Sequence, residues 1–369
     1  QSAELRSDRQ IPYLAEVGAG ASGGINMELS YGTYDSWLES LLSNVWVPLT
    51  GGARQQLGST VITNPAGTIA ATGIHLGVVV GQYIRLDTCE DPANDGFYLV
   101  TTVGTDTITV TPSPPTTNIA DTTVFVSADH LENGVTEKSF SIEREFAFGV
   151  SPAVTKRFTM FNGMEVQALS LNLTEGAIIG GGFTFLGKEG TVATATGAGT
   201  PVAATTTDPI NATSNVGTIS DTYGLATRAT LSTALQSLTF NIDGSLRQRR
   251  AIANRTACGI GAGRFQVTGS VNAYFEDGAL FEKYILHTAT SLSANIHDGA
   301  TGASAAATLA NRIAGNTYII TFNRVQFAQS PGPSAGATDA DVFTNLNFQG
   351  IYDSETGCTV QIDRFPAIA

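Results

Sequence analysis

The chain has 369 residues, enough for about two domains with a substantial core. Hydrophobic residues make up 42% and charged residues only 14%, a balance that excludes charge-driven disorder. Lys and Arg total 19 against 32 Asp and Glu, a net charge of −13, which excludes a nucleic-acid binder held by phosphate neutralisation.

The first residues, Gln1-Ser2-Ala3-Glu4, are polar and lack the apolar stretch of a signal peptide, as expected of a cytoplasmic origin or of a leader already removed. Gly18-Ala19-Gly20-Ala21-Ser22-Gly23 spells a dinucleotide fingerprint, yet that motif needs a strand before it and a helix after it. The next residues are strand-like instead: Ile25, Met27, Leu29 and Tyr31 alternate with Asn26, Glu28 and Ser30. Gly20-Ala21-Ser22-Gly23-Gly24 spells a nucleophile elbow and fails the same test, so a hairpin turn is expected here. From Tyr34 to Leu42 the apolar residues Tyr34, Trp37, Leu38, Leu41 and Leu42 fall at helical spacing, with Thr33 or Asp35 placed to cap the start.

Residues 66–130 read as a separate small unit inserted into a larger one. Strands are predicted at Tyr83–Asp87, Phe97–Thr101, Thr107–Thr111 and Thr122–Val126. Its acids (Asp87, Glu90, Asp91, Asp95, Asp106, Asp121 and Asp129) face a single base, Arg85. The larger unit, 1–65 and 131–369, continues in period two: Phe140, Ile142, Phe146 and Phe148, then Leu169, Leu171 and Leu173, then Leu238, Phe240 and Ile242. Phe265, Val267, Val271 and Ala273 come next, then a second short helix over about Ala279–His287 behind Asp277, and finally Leu346 and Phe348. Both helices are one-sided and short, which predicts packing on a sheet. Thr191–Thr222 and Asp298–Asn316 are low in complexity and are expected to be exposed loops.

Candidate chemistry is sparse. Cys89, Cys258 and Cys358 are odd in number and far apart, and His75, His130, His287 and His297 are scattered, so neither a disulfide framework nor a zinc site is expected and the histidines read as surface or filler positions. Glu143 with Glu145, or Glu276 with Asp277, could in principle serve glycoside hydrolysis, but the polar faces around them carry Ser, Thr, Asn and Gln rather than aromatic platforms. No run of 18 apolar residues is present for a membrane-spanning helix. Two windows gather Lys138, Arg144, Lys156 and Arg157, then Arg247, Arg249, Arg250, Arg255 and Arg264. In an acidic chain such patches suit the carboxylates of a neighbouring copy, or else remain solvated strand ends.

Taken in order, several blocks resemble the major tail tube proteins of long-tailed, non-contractile bacteriophages. They are Arg6-Ser7-Asp8-Arg9-Gln10; Glu28-Leu29-Ser30-Tyr31-Gly32-Thr33-Tyr34-Asp35; Ser139-Phe140-Ser141-Ile142-Glu143-Arg144; Phe161-Asn162-Gly163-Met164; and Phe183-Thr184-Phe185-Leu186-Gly187-Lys188. Leu246–Arg250, Val267–Phe275, Leu346–Gln349 and Gly357–Asp363 complete the resemblance. It implies a virion tail protein, assembled in the bacterial host cytoplasm, that forms stacked six-membered rings. Within them strands join across subunits into a continuous barrel around a tape-measure protein, tail terminator and tip proteins close the ends, and double-stranded DNA passes through the bore. It carries over no catalytic residue, metal or cofactor.

The expected fold is thus mainly β: a sandwich or barrel core with two peripheral helices and an inserted small acidic β-domain on the exterior. Arg144, Arg247, Arg249 and Arg250 are candidate subunit contacts, and Glu28, Asn172, Asp243, Asn272 and Asn347 are candidates for a polar face that does not hold a polyanion. The rival readings are another self-assembling surface, fimbrial or capsid-decorating subunit, and a carbohydrate-active β-sandwich.

Overall fold

The computed structural model describes residues 16, 18–75, 77–150, 154–199, 203, 205–220, 223–225, 234–276, 278–299, 313–335 and 341–368. The chain opens with β1 (Ala21–Glu28), α1 (Asp35–Leu42) and β2 (Val47–Pro48). Eight strands then form a sheet of their own: β3 (Arg54–Gln56), β4 (Thr60–Thr63), β5 (Thr68–Ala70), β6 (Tyr83–Asp87), β7 (Gly96–Gly104), β8 (Thr107–Thr111), β9 (Asn118–Asp121) and β10 (Phe125–Ser127). Next come β11 (Asp129–Glu132), β12 (Phe140–Phe148), β13 (Thr155–Thr174), β14 (Gly180–Gly187), β15 (Glu189–Ala193), β16 (Val216–Ser220), β17 (Leu235–Asp243), β18 (Arg247–Arg249), β19 (Gly259–Gly261) and β20 (Gln266–Tyr274). The helix α2 (Ala279–Ile285) precedes β21 (Thr290–His297), β22 (Thr317–Gln329), β23 (Ser334–Ala335), β24 (Val342–Ile351) and β25 (Val360–Phe365).

The protein is mainly β, as its alternation predicts. The large sheet runs β1-β14-β13-β17-β20-β24-β22-β25-β11-β2 and is open among the described residues. It doubles back at β22, whose first half pairs with β21 and β25 and whose second half pairs with β24. Two layers result, with Phe240 and Phe348 of one meeting Phe322 of the other at ring separations of 5.0 and 5.9 Å. Apolar side chains at alternate positions of β13, β17, β20 and β24 fill the space between, because only one face of each strand is dry. Gly269 has a packing reason: an added Cβ would lie 2.4 Å from the Phe348 ring that crosses it.

The helices pack on this sheet. In α1, Leu38, Leu41 and Leu42 are buried, and the Trp37 ring stands edge-on to Phe183 and Phe185 at 5.2 and 5.1 Å. Neither expected cap operates. Tyr34 occupies the N-cap without a side-chain bond, because Thr33 pairs with Ser30 and Thr205 while the Asp35 carboxylate accepts from Tyr318 and Arg364. The expected hairpin turn is also absent: Ala21–Gly24 are already the first residues of β1, paired to β14. Asp277 lies outside the described residues.

The eight-stranded sheet has its own apolar cluster, built from Leu57, Ile62, Ile69, Ile84, Val100 and Val126 among others. It takes in β3 and β4, upstream of residue 66, whereas β11 pairs into the large sheet. The one base read in this segment, Arg85, is fully buried and tethers it: its guanidinium donates to Ile313 O (3.0 Å), Gly315 O (3.3 Å), Pro366 O (2.6 Å) and Ser127 Oγ (3.1 Å). Burial lowers its pKa to about 10, against the opposing pull of Asp87. The low-complexity segments are more than exposed loops. The first supplies part of β15, all of β16 and the buried Ile210, whose amide bonds Leu29 O. Of the second, residues 300–312 lie outside the described residues, while Ile313 is buried.

Candidate functional site

Because partners in an antiparallel ladder point to the same face, register decides which polar side chains meet. Glu28 lies opposite Gly180, Gly180 opposite Asn172, Asn172 opposite Thr239, Thr239 opposite Ser270, and Ser270 opposite Asn347. That is one row across six strands, about 24 Å wide at ordinary strand spacing. A second row holds Asn26, Gly182, Ser170, Asn241, Thr268 and Gln349, and a third starts from Thr174 through Ser237 and Asn272 to Asn345. A fourth runs from Gly24 through Thr184 and Ala168 to Asp243 and Gln266. The reverse face of the same strands is the core, with Met27, Phe183, Leu171, Phe240, Val271 and Leu346.

The structure therefore brings all five polar candidates to one face. Glu28, Asn172 and Asn347 are exposed, and Asp243 and Asn272 are half-buried. Asn272 donates to Gln236 (2.6 Å), Thr239 and Ser270 share a bond of 2.8 Å, and the Asp243 carboxylate accepts from the Ser245 amide (2.6 Å). Along these four rows the charged groups are the acids Glu28 and Asp243, without a Lys or Arg.

The basic candidates sit elsewhere. The first half of β13 leaves the sandwich as the middle strand of a three-stranded arm between β12 and β15. One face of the arm carries Arg144, Phe146 and Phe148 from β12, Arg157 from β13 and Val192 from β15. Val192 is 76% exposed and Phe148 56%, while the Arg144 guanidinium lies 4.7 Å from the Phe146 ring centre. On the opposite face Glu143 accepts from Thr196 Oγ (2.6 Å) and Gly197 N (2.7 Å), bonds that hold its pKa down, and Glu145 pairs with Lys156 at 2.7 Å. Each acid thus has its own partner. Arg247 and Arg249 stand on the β18–β19 ribbon, and Arg250 bonds Gln248 at 2.8 Å; all three are exposed.

Against known proteins, a family model described as phage tail tube protein matches residues 1–350. The chain belongs to the phage tail tube protein family. No curated protein matches it.

This tail tube protein is a structural component of the virion tail, and its family role is self-association with itself and with other tail proteins. A structural family supports a non-enzymatic role, in keeping with the separately partnered Glu143 and Glu145. Among the described residues no helix is long and apolar enough to cross a membrane, and no cluster of ligating side chains suits a metal. Sequence reading missed two features of the tail tube protein. One is the arm, because alternation reveals a strand but not that its outer part, with Phe146 and Phe148, leaves the core. The other is the outer edge of β1, which among the described residues pairs only with β14. The signal for the latter was the small, glycine-containing start Ala21-Ser22-Gly23-Gly24, where a Cβ on Gly23 would meet nothing within 4 Å.

Proposed function

We propose that six copies of this chain form a ring, that rings stack into the tail tube, and that the polar face lines the bore through which double-stranded DNA leaves the capsid. The observation that carries this reading is the face itself: rows of Asn, Gln, Ser and Thr six strands wide, bearing two acids, on a chain of a tube-forming family. Such a wall offers phosphate neither a cation nor an apolar trap, so a polyanion slides past it. The open edge of β1 suits a strand of the adjacent copy, whose pairing satisfies backbone groups otherwise left as an aggregation hazard. Arg144, Arg247, Arg249 and Arg250, exposed on the arm and the ribbon, serve as contacts between copies. A tape-measure protein occupies the bore before ejection, terminator and tip proteins end the stack, and assembly takes place in the host cytoplasm. The eight-stranded unit, residues 54–127, is an inserted domain on the tube exterior, since Arg85 and β25 fasten it on the side of β11 rather than on the polar face.

Cryo-electron microscopy of the purified, polymerised protein tests the reading. The expected image is a stack of six-fold rings with Asn172, Asn272 and Asn347 facing the central channel. A lattice, a solid fibre or a channel lined by the eight-stranded unit would refute it.

A further inference from the structure

The eight-stranded unit has an apolar cluster of its own, drawn only from residues 49–128. Its seam with the large sheet differs in kind, resting on directed polar contacts. The chain crosses this seam twice, and the two crossings are bonded to each other. Leu49 N donates to Ala128 O (3.3 Å) and Ala128 N to Ala53 O (3.0 Å), while Ala128 alone separates β10 from β11. Beyond this neck the Tyr83 amide donates to Asp363 (3.2 Å) and Gln361 Nε2 to Gly81 O (2.5 Å), and the Phe97 ring stands edge-on to Phe365 at 5.2 Å. Arg85 ties the seam together. Two of its acceptors, Ile313 O and Gly315 O, precede β22, and a third, Pro366 O, follows β25. Because Thr317 opposes Phe365, these carbonyls gather at one end of the β22–β25 ladder. On the side of the unit, Ser127 Oγ accepts from the same guanidinium, and Asp87, which pairs with Arg54, lies 3.5 Å from its Nε.

We propose that Arg85 is a positioning residue, a pin that holds the eight-stranded unit against the second layer in a single pose, so that unit and sheet move as one body. The inference concerns the unassembled chain and goes beyond the tube reading. Domains joined through a polar seam ordinarily shift relative to one another. Here a shift would have to draw one guanidinium away from three backbone carbonyls at once, all fixed at the end of a strand ladder. The planar fork resists rotation as well as separation, which neither a point charge nor an apolar contact does. Retreat of the unit would also leave the cation and its acceptors without partners until water entered. The acceptors Ile313 and Pro366 lie 228 and 281 positions downstream of Arg85. The unit thus completes its own cluster from nearby sequence and is locked in place only when β22 and β25 have paired.

Double electron–electron resonance between two spin labels on the unassembled chain tests this. Ile119→Cys places one label on β9, the outermost strand of the unit, and Val135→Cys places the other beside the large sheet; the two sites are 77% and 93% exposed. The backbone at Val135 is held, since the amides of Gly134 and Thr136 donate to Leu42 O and Ser43 O. Cys258→Ser removes the exposed native thiol, and Cys89 and Cys358 are buried. With Arg85 in place the distance distribution should be single and narrow. In Arg85→Met, which keeps the length but has no donors, it should widen about twofold or more while the circular dichroism spectrum stays unchanged. A broad distribution with Arg85 intact overturns the single pose, and a narrow one in folded Arg85→Met overturns the pin. Should Arg85→Met fail to fold, Phe97→Ala decides: it strips the ring contact with Phe365 and leaves the polar bonds, so the distribution should stay narrow. A broad one would assign the hold to ring packing instead of Arg85. The measurement reads neither rings nor stacking, so its failure leaves the tube reading standing.

Discussion

His130 is a scattered, solitary histidine in the sequence and a charged junction in the fold. It sits on β11, 5% exposed, with Nδ1 at 2.7 Å from the Asp363 carboxylate of β25 and Nε2 at 3.7 Å from Glu132. Burial alone would lower its pKa, yet the charge and hydrogen bond of Asp363, aided by Glu132, outweigh it and raise the value to about 9. Asp363 also accepts from the Tyr83 amide of the eight-stranded unit and from Gln361, both at 3.2 Å, while its neighbour Arg364 pairs with Asp129. An unfolded histidine titrates near about 6.5. The folded state therefore binds the proton more tightly, so its stabilisation is fully present below that pH and is lost as pH rises through about 9. Unfolding free energy from urea titrations should decline between about pH 7 and 10, by on the order of 3 kcal/mol at most. In His130→Asn that decline should flatten, and parallel slopes for the two proteins would show the pair does not govern it. The sequence could not reveal this pair, since its members are 233 positions apart.

At the scale of elements, legibility followed solvent. Strands β17, β20 and β24 were read from alternation because each has one wet and one dry face. By contrast β21, Thr290–His297, is buried at every position, and its Thr, Ser, Asn and His residues erase the pattern. The short β3, β4 and β5 offer too few residues for a period. The arm shows the converse failure: Phe146 and Phe148 alternate like core residues yet lie in solvent in the single chain, Phe148 at 56%. Apolar side chains held out on rigid strands make sense when another copy covers them. Replacing both with Ser should cost the monomer about 2 kcal/mol, because at 37% and 56% exposure the two rings are only partly covered, while sharply reducing polymer yield. Calorimetry and sedimentation of Phe146→Ser/Phe148→Ser check the two halves separately. A large loss of melting temperature would mean that the arm is part of the monomer's core.

For the whole molecule, the distribution of charge matters more than its sum. The chain carries −13 overall, yet the rows of the polar face hold two acids and no base, so the proposed sliding of DNA rests on absent cations rather than on strong repulsion. Adding cations to that face should convert a conduit into a trap. Asn172→Lys/Asn272→Lys/Asn347→Lys places three ammonium groups per copy on the proposed bore, where the side chains are exposed or half-buried and tolerate a longer stem. Tubes of this variant, assembled in the presence of linear double-stranded DNA, should retain it at low salt and release it as salt rises, with a steep log–log dependence set by the number of phosphates neutralised. Topology makes the test specific to the inside. A covalently closed circle cannot thread a tube, so only linear DNA should be held. Equal retention of circular and linear DNA would place Asn172, Asn272 and Asn347 on the outside, and the bore would have to be built from another surface of the chain.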